Sequence, residues 1–180
     1  KMELGGAQEH TLHVVSQLDR QQYSARLFTG SGGTLYDEAS YALGSRIETV
    51  PQLKRRPHPR RDLQAYWWLV RRFKQALKEH PRLIVHTHSS KAGILGRAAA
   101  ATAGVPLIFH TVHGFGFNDW QMMPVKHFYV RLEQLASRAT TQFVAVSRID
   151  INTGIEEGIF DAGRVTLIRS GFDLSAFQRN

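Results

Sequence analysis

The chain has 180 residues and no cysteine, which excludes disulfide bonds and thiolate metal sites. Its hydrophobic share of 42% and charged share of 21% are ordinary for a globular protein, and a reducing cytoplasm is compatible with this composition. No run of about 18 apolar residues and nothing like a secretory signal is present, so neither a spanning helix nor a leader is predicted.

The net charge of +8 is concentrated in the segment 54–82. This segment holds ten lysines and arginines against two acids, Asp62 and Glu79, so its excess of eight equals that of the whole chain. Such a patch attracts nucleic acid, anionic lipid head groups or a phosphorylated substrate. The structural alternative is a solvated helix face that keeps the protein in solution.

Strand-like and helix-like runs alternate along the chain, which predicts an α/β fold with a Rossmann-like parallel sheet and helices on both faces. No internal repeat or linker is present, so 1–180 forms a single domain. The predicted elements are, in chain order, a helix at 6–20, strands at 23–29 and 46–50, a basic loop at 55–60, a helix at 62–80, a strand at 83–88, a helix at 91–103, a strand at 107–112, a helix at 124–138, a strand at 141–146, a helix at 148–157 and a strand at 165–169.

The 62–80 helix carries an apolar face at helical spacing. Trp68 is expected on the opposite side, among arginines, where it would suit a membrane interface or a partner, or would pack against a neighbouring loop. The expected apolar face consists of Leu63, Tyr66, Trp67, Val70, Phe73 and Leu77.

Gly5 and Gly6 open the first predicted helix without a strand before them. Glycines let a ligand approach the backbone, and the free N–H groups of a first helical turn favour an anion, although a simple turn explains them equally well. The strand that feeds the first helix of a doubly wound sheet is central, and its absence would interrupt the hydrogen-bond ladder. We therefore expect a fragment that begins just after its first strand.

Polar residues follow the strand at 83–88, at the edge where open α/β sheets bind ligands. Ser89 or Ser90 is a natural N-cap of the next helix, which alone would explain the serines. Lys91 is unfavourable near a helix N-terminus, and this position indicates an anionic ligand.

Four histidines, at His86, His88, His110 and His113, lie on or just after two strands and raise the alternative of a metal site. No acidic residue accompanies them, and strand histidines can simply be buried and hydrogen-bonded, so no metal and no other cofactor is predicted.

His113 is the strongest candidate for a catalytic residue. It follows the strand at 107–112, and Gly114 and Gly116 permit an irregular loop after it. Its imidazole could donate a hydrogen bond or move a proton near neutral pH. The alternative is a structural histidine bonded to a carbonyl. Farther along, Ser147 and Asp150 fit a capping box, which favours a structural role for Ser147.

Five segments together resemble the amino-terminal half of family 4 glycosyltransferases, the retaining enzymes of the GT-B fold. They occur in family order from end to end of the chain. Two of them, 85–93 and 110–115, look especially like the matching segments of enzymes that build bacterial capsule, exopolysaccharide or lipopolysaccharide. The segments are 4–8, 85–93, 110–115, 144–147 and 168–173.

The resemblance implies two Rossmann-like domains that face each other across a cleft, with this chain as the acceptor-side domain. A nucleotide-sugar donor would lie against the first helix, and a glycan or lipid-linked acceptor beside it. The roles carried over are transferred-sugar contact for His113, donor binding for Gly5 and Gly6, acceptor binding for His88, Ser89 and Lys91, and cleft or crossover positions for Ser147 and Asp173.

The nucleotide-sugar pocket of the family, with two glutamates eight positions apart, belongs to the second domain. The chain alone is therefore expected to lack transferase activity. Related enzymes act at the cytoplasmic membrane face, so the resemblance implies a cytoplasmic protein that docks peripherally on an anionic membrane surface. The implied patch consists of Arg55, Arg56, Arg60, Arg61, Trp68 and Arg72.

Two other functions remain open from the sequence. A basic nucleic-acid-binding α/β domain explains the charge but not the histidines and glycines at the strand ends, and no recognition helix is present, so no nucleic-acid partner is expected. Half of a GT-B sugar-nucleotide epimerase is the other alternative, because its distinguishing features lie in the carboxyl half.

Overall fold

The computed structural model describes residues 1–171. Helices and strands alternate throughout this part, every paired strand is parallel, and the predicted α/β class is confirmed. The elements are α1 (Gly6–Gln17), β1 (Leu27–Gly30), α2 (Tyr36–Leu43), β2 (Ile47–Val50), α3 (Pro59–Glu79), β3 (Ile84–His88), α4 (Ser90–Ala103), β4 (Leu107–Val112), α5 (Met123–Ser137), β5 (Gln142–Ala145), α6 (Arg148–Glu156) and β6 (Val165–Leu167). None of the helices in 1–171 is long and apolar enough to cross a bilayer.

Within residues 1–171 the strands form two parallel sheets that share no hydrogen-bond ladder. One sheet pairs β1 with β2, and the other has the order β3–β4–β5–β6, so the interruption expected from the sequence is present. The segment before α1 lies at the carboxyl end of β1, because the Met2 N–H donates to the Gly32 carbonyl (3.2 Å) and the Leu35 N–H donates to the Met2 carbonyl (2.9 Å). The start of α1 is thereby held at the carboxyl rim.

Helix α2 is absent from the sequence-based assignment, which left 31–46 without a helix. Its buried residues Ala39 and Leu43 and its buried N-cap Leu35 are spaced four apart, as on one helix face. Asp37 and Glu38 lie in its first turn, where negative charge favours the helix dipole. With only eight residues, it is too short to give a clear periodic pattern.

Helix α3 begins at Pro59 rather than Asp62, because His58 caps it. The His58 Nδ1 atom accepts from the Arg61 N–H (3.4 Å), and the Asp62 carboxylate accepts from the His58 N–H (2.9 Å). Proline suits the first turn, since its missing N–H would have no helical partner there.

The buried face of α3 is rotated from the predicted one. Leu63 and Trp67 are 56% and 48% exposed, whereas Trp68 packs edge-on against Phe28 of β1, with 5.5 Å between ring centroids. The expectation that Trp68 lies apart from the core is wrong. Helix α3 packs on both β2 and α4, so its contact surface is wider than one stripe. The fully buried residues are Ala65, Leu69, Val70 and Phe73.

Helix α4 packs between α3 and α5. It is joined to α5 by an ion pair between Arg97 and Glu133, 2.5 Å apart, whose side chains are 0% and 2% exposed. Because each helix follows a parallel strand, the N-termini of α3, α4 and α5 all lie at the carboxyl rim of the strands. This rim carries the candidate site.

Candidate functional site

The carboxyl ends of β3 and β4 bring His88 and His113 together. These strands are adjacent and parallel, with His88 opposite Thr111 in the register. The His88 Nδ1 atom lies 3.1 Å from the His113 Nε2 atom. In such a pair one ring donates its N–H and the other accepts, so at least one imidazole is neutral. Both histidines thus lie at the carboxyl rim of the sheet, and their roles in acceptor binding and sugar contact remain predictions.

His10 of α1 is a third imidazole at this rim. Its ring centroid lies 5.4 Å from that of His113 and 6.4 Å from that of His88. Since α1 begins at Gly6, one helical turn before His10, the glycines and His113 lie near the same place. The His10 Nδ1 atom is buried without a hydrogen-bond partner within the part of the chain that the structure describes. Its position one turn after the glycines is the only sequence signal that points to it.

The other two histidines lie on different faces of the sheet. His86 lies beside His88, with 4.5 Å between the centroids of the two rings. Its Nε2 atom lies 2.7 Å from the Thr111 hydroxyl. His110 is buried on the opposite face, where its Nδ1 atom lies 2.8 Å from the Thr87 hydroxyl. In residues 1–171 no group of histidine and carboxylate side chains is arranged to hold a metal ion.

The histidines at the rim are neutral at physiological pH. Partial burial, assisted by the neighbouring imidazoles of His10 and His86, lowers the pKa of His113 to about 4. Burial also lowers the pKa of His88, assisted by His86 and His113. A neutral imidazole donates one hydrogen bond and accepts one but brings no positive charge. His113 is only partly buried, so a ligand can reach it.

At the start of α1, a Cβ added at Gly5 would come within 3.0 Å of the Gln8 side chain, whereas local packing gives no reason for Gly6. Gly5 has an extended backbone, with φ at 171°, and its carbonyl accepts from the N–H groups of Gln8 and Glu9 at 3.0 Å. A side chain at Gly6 would meet nothing within 4 Å. The first turn of α1 is therefore open to a ligand, as the donor-binding prediction requires.

Ser89 precedes α4 in a left-handed conformation, with φ at +63°, and its side chain forms no cap hydrogen bond. Capping therefore does not explain Ser89. A non-glycine residue in this region is strained by about 1 kcal/mol or more, and such strain concentrates at functional sites. Next to it, Ser90 lies against Gly116, where an added Cβ would come within 3.0 Å. The loop after His113 is thus packed on the start of α4.

Lys91 is not the free cation that its position indicated. Its ammonium donates to the carbonyls of Lys54 (2.8 Å) and Arg56 (2.9 Å) and pairs with the Asp62 carboxylate at 2.6 Å. These three oxygens match the three protons of the ammonium group. The unfavourable position in α4 is compensated by Asp62 inside the protein, without a bound acceptor.

The predicted basic patch is smaller than expected. Arg72 forms an ion pair with Glu48 at 2.5 Å and lies over the ring of Trp68, so both side chains are engaged within the fold. The remaining predicted members are exposed. They are Arg55, Arg56, Arg60 and Arg61.

Ser147 caps α6, which confirms the structural interpretation. Its hydroxyl accepts from the Asp150 N–H at 3.1 Å and lies 2.7 Å from the Asp150 carboxylate, to which it donates. Both hydrogen-bonding roles of the hydroxyl are thereby filled. A cleft role for Ser147 remains a prediction. Asp173 lies outside the described residues.

Comparison with known proteins assigns the family. The model of Glycosyltransferase Family 4 matches residues 4–176. The chain belongs to Glycosyltransferase Family 4. A curated relative in this comparison is the UDP-Gal:alpha-D-GlcNAc-diphosphoundecaprenol alpha-1,3-galactosyltransferase of Escherichia coli. It is 36% identical over 174 residues, which are 97% of this chain and 43% of that enzyme.

Two solved structures share the fold of this family member. MurG of Acinetobacter baumannii matches with a TM-score of 0.60 at 15% identity, over 97% of this chain and 45% of that chain. A UDP-N-acetylglucosamine 2-epimerase matches with a TM-score of 0.53 at 11% identity, over 96% and 48%. These likenesses confirm half of a GT-B-type fold and nothing finer. The chain spans less than half the length of the relatives it matches.

Proposed function

We propose that this chain is the acceptor-side part of a retaining glycosyltransferase that moves a sugar from a nucleotide-sugar donor to a lipid-linked glycan. The family membership and the 36% identity to a galactosyltransferase support this assignment. The observation that carries it is the His88–His113 pair beside the open start of α1, on one rim of the fold.

His113 supplies a neutral hydrogen-bonding group to the transferred sugar. As the bond between the sugar and the donor diphosphate breaks, the anomeric carbon becomes electron-poor and the sugar ring gains positive character. An imidazolium would repel that charge, whereas the lowered pKa of His113 keeps the ring uncharged. His88 fixes its orientation through Nε2 and leaves the Nδ1 side for the sugar.

The start of α1 stabilises the departing diphosphate. The free N–H groups of its first turn and the positive end of the helix dipole favour the negative charge that develops on the leaving group. The open space at Gly6 lets the phosphates approach these groups closely.

A transfer assay tests the proposed function. The complete gene product is incubated with UDP-galactose and other nucleotide sugars and with a GlcNAc-diphosphoundecaprenol acceptor, and the anomeric configuration of the product is read by NMR. We expect transfer with retention by the complete product and none by residues 1–180 alone. Absence of transfer from every nucleotide sugar tested, or inversion, would contradict the proposal.

We further propose that this rim contacts an anionic membrane surface, at the inner face of the cytoplasmic membrane. The basic loop precedes α3, and the loop 113–122 precedes α5, with α4 between these two helices. In the loop 113–122, Trp120 is 97% exposed and Met122 is 73% exposed. Each arginine near an anionic surface contributes about 1 kcal/mol, and an exposed tryptophan suits the membrane interface.

Vesicle sedimentation tests the membrane contact. We expect the protein to bind phosphatidylglycerol vesicles in low salt and to be released in high salt. Replacing Trp120 by serine is expected to weaken binding, whereas replacing the exposed Tyr41 of α2 is not. Equal binding to neutral vesicles in high salt would exclude this electrostatic docking.

A further inference from the structure

Four arginines around the start of α3 form no ion pair within residues 1–171, and the acid whose pKa one of them, Arg55, helps to lower is the partly exposed Glu3. The arginines belong to the loop before the helix and to its first turn. The nearest acid in the sequence, Asp62, is already bound to Lys91 and to the His58 N–H. The exposed arginines are Arg55, Arg56, Arg60 and Arg61.

The loop that carries these arginines is fixed to the candidate site. Lys91, in the first turn of α4, holds the carbonyls of Lys54 and Arg56. The Lys54 ammonium in turn donates to the Ser31 hydroxyl, just after β1, at 2.5 Å. The loop backbone is therefore anchored on two sides at the carboxyl rim, next to the β3–α4 turn that follows His88.

The charge of this cluster is unfavourable without a bound anion. Arg60 and Arg61 lie in the first turn of a 21-residue helix, where the dipole disfavours positive charge. All four arginines also lie within seven consecutive residues, 55–61, so the local density of like charge is high. Guanidinium groups match phosphate oxygens in bidentate hydrogen bonds, so a ligand with two linked phosphates would compensate several of these charges at once.

We propose that the arginine cluster binds the diphosphate of the lipid-linked acceptor and that Lys91 is the positioning residue that holds the cluster at the rim. The identity of the acceptor rests on the proposed function, since the galactosyltransferase relative acts on a diphosphoundecaprenol substrate. The diphosphate site itself rests on the geometry and charge of the loop. In this arrangement the acceptor diphosphate lies at the arginines and its sugar points along the rim toward His113.

Calorimetric titration of the complete gene product with inorganic pyrophosphate tests the site. The double variants Arg55→Ala/Arg56→Ala and Arg60→Ala/Arg61→Ala are each expected to weaken pyrophosphate binding about tenfold or more, the effect of losing a charge-assisted hydrogen bond. Arg20→Ala/Arg138→Ala removes the same charge at exposed positions after α1 and α5 and is expected to leave binding unchanged. Equal losses in all three variants, or none, would overturn the proposal.

Vesicles distinguish the acceptor diphosphate from ordinary head groups. Vesicles of a neutral lipid that are doped with undecaprenyl diphosphate should bind the wild type more tightly than vesicles given the same total charge with phosphatidylglycerol. The arginine variants should lose that preference. No preference in the wild type would assign the cluster to the bilayer surface and overturn the proposal. Retained pyrophosphate binding without sugar transfer would refute the proposed function but leave this site intact.

The role of Lys91 has its own readout. Lys91→Met should weaken pyrophosphate binding and speed trypsin cleavage after Lys54 and Arg55, because the loop loses its anchor, while thermal unfolding shows that the variant folds. Unchanged cleavage together with unchanged binding would refute the positioning role.

Discussion

His113 lies among imidazoles rather than carboxylates, and this environment determines its chemistry. A neighbouring carboxylate would raise the pKa of a histidine, whereas burial and the nearby rings of His10 and His86 lower the pKa of His113 to about 4. The ring thus remains a neutral hydrogen-bonding group across the physiological range. This matches a site where positive charge develops on the substrate.

The lowered pKa values predict that the protein loses stability in mild acid. Unfolded histidines titrate near pH 6.5, so as the pH falls below this value the unfolded chain takes up protons that His88 and His113 in the folded protein do not. The free energy of unfolding, measured by urea denaturation, should therefore fall between pH 7 and pH 5. The double variant His88→Asn/His113→Asn should show a shallower fall.

His80→Asn serves as the control, because His80 is exposed at the end of α3. Its pH dependence should equal that of the wild type. An unchanged slope in the double variant would contradict the neutral histidine cluster.

The position of some residues at the rim can be predicted from the sequence, whereas the position of others cannot. His88 and His113 are expected at the rim because the carboxyl ends of parallel strands meet at one edge of the sheet. The internal partners of Lys91 could not be predicted, because they lie far away in the chain, at Asp62 and in the basic loop. His10 lies within a helix, and only the packing of α1 against the rim brings it to His113.

At the scale of elements, the Arg97–Glu133 pair joins α4 to α5 behind the site. Both side chains are fully buried, and the guanidinium also donates to the Gly93 carbonyl at 3.1 Å. The Glu133→Ala variant leaves a buried, unpaired guanidinium. We expect it to lower the free energy of unfolding by about 3–5 kcal/mol in urea denaturation.

The double variant Arg97→Met/Glu133→Leu provides the comparison, since it replaces both charged side chains with apolar side chains of similar volume. It should be much less destabilised than Glu133→Ala. Equal destabilisation of the single and the double variant would show that lost packing, not an unpaired charge, accounts for the effect.

Element order follows from the sequence, whereas element faces do not. Alternating apolar runs predict the parallel strands, but α2 is too short for a periodic signal. The contact face of α3 depends on neighbours on two sides, so Trp68 is partly buried against Phe28 while Trp67 is exposed. Tertiary packing determines which of the two tryptophans contacts the core, and the periodic pattern of the sequence does not contain this information.

At the scale of the whole molecule, the carboxyl rim brings together the open start of α1, the histidine pair and the arginine loop. Under the proposed function, the first would face the donor phosphates, the second the transferred sugar and the third the acceptor diphosphate.

The most direct measurement of this account is the sugar-transfer rate of the complete gene product with His113 replaced by alanine. We expect kcat to fall about a hundredfold, with thermal unfolding and pyrophosphate binding close to the wild type, because the imidazole acts on the transferred sugar. His80→Ala should transfer at the wild-type rate. A His113→Ala variant that keeps the wild-type kcat would contradict the account.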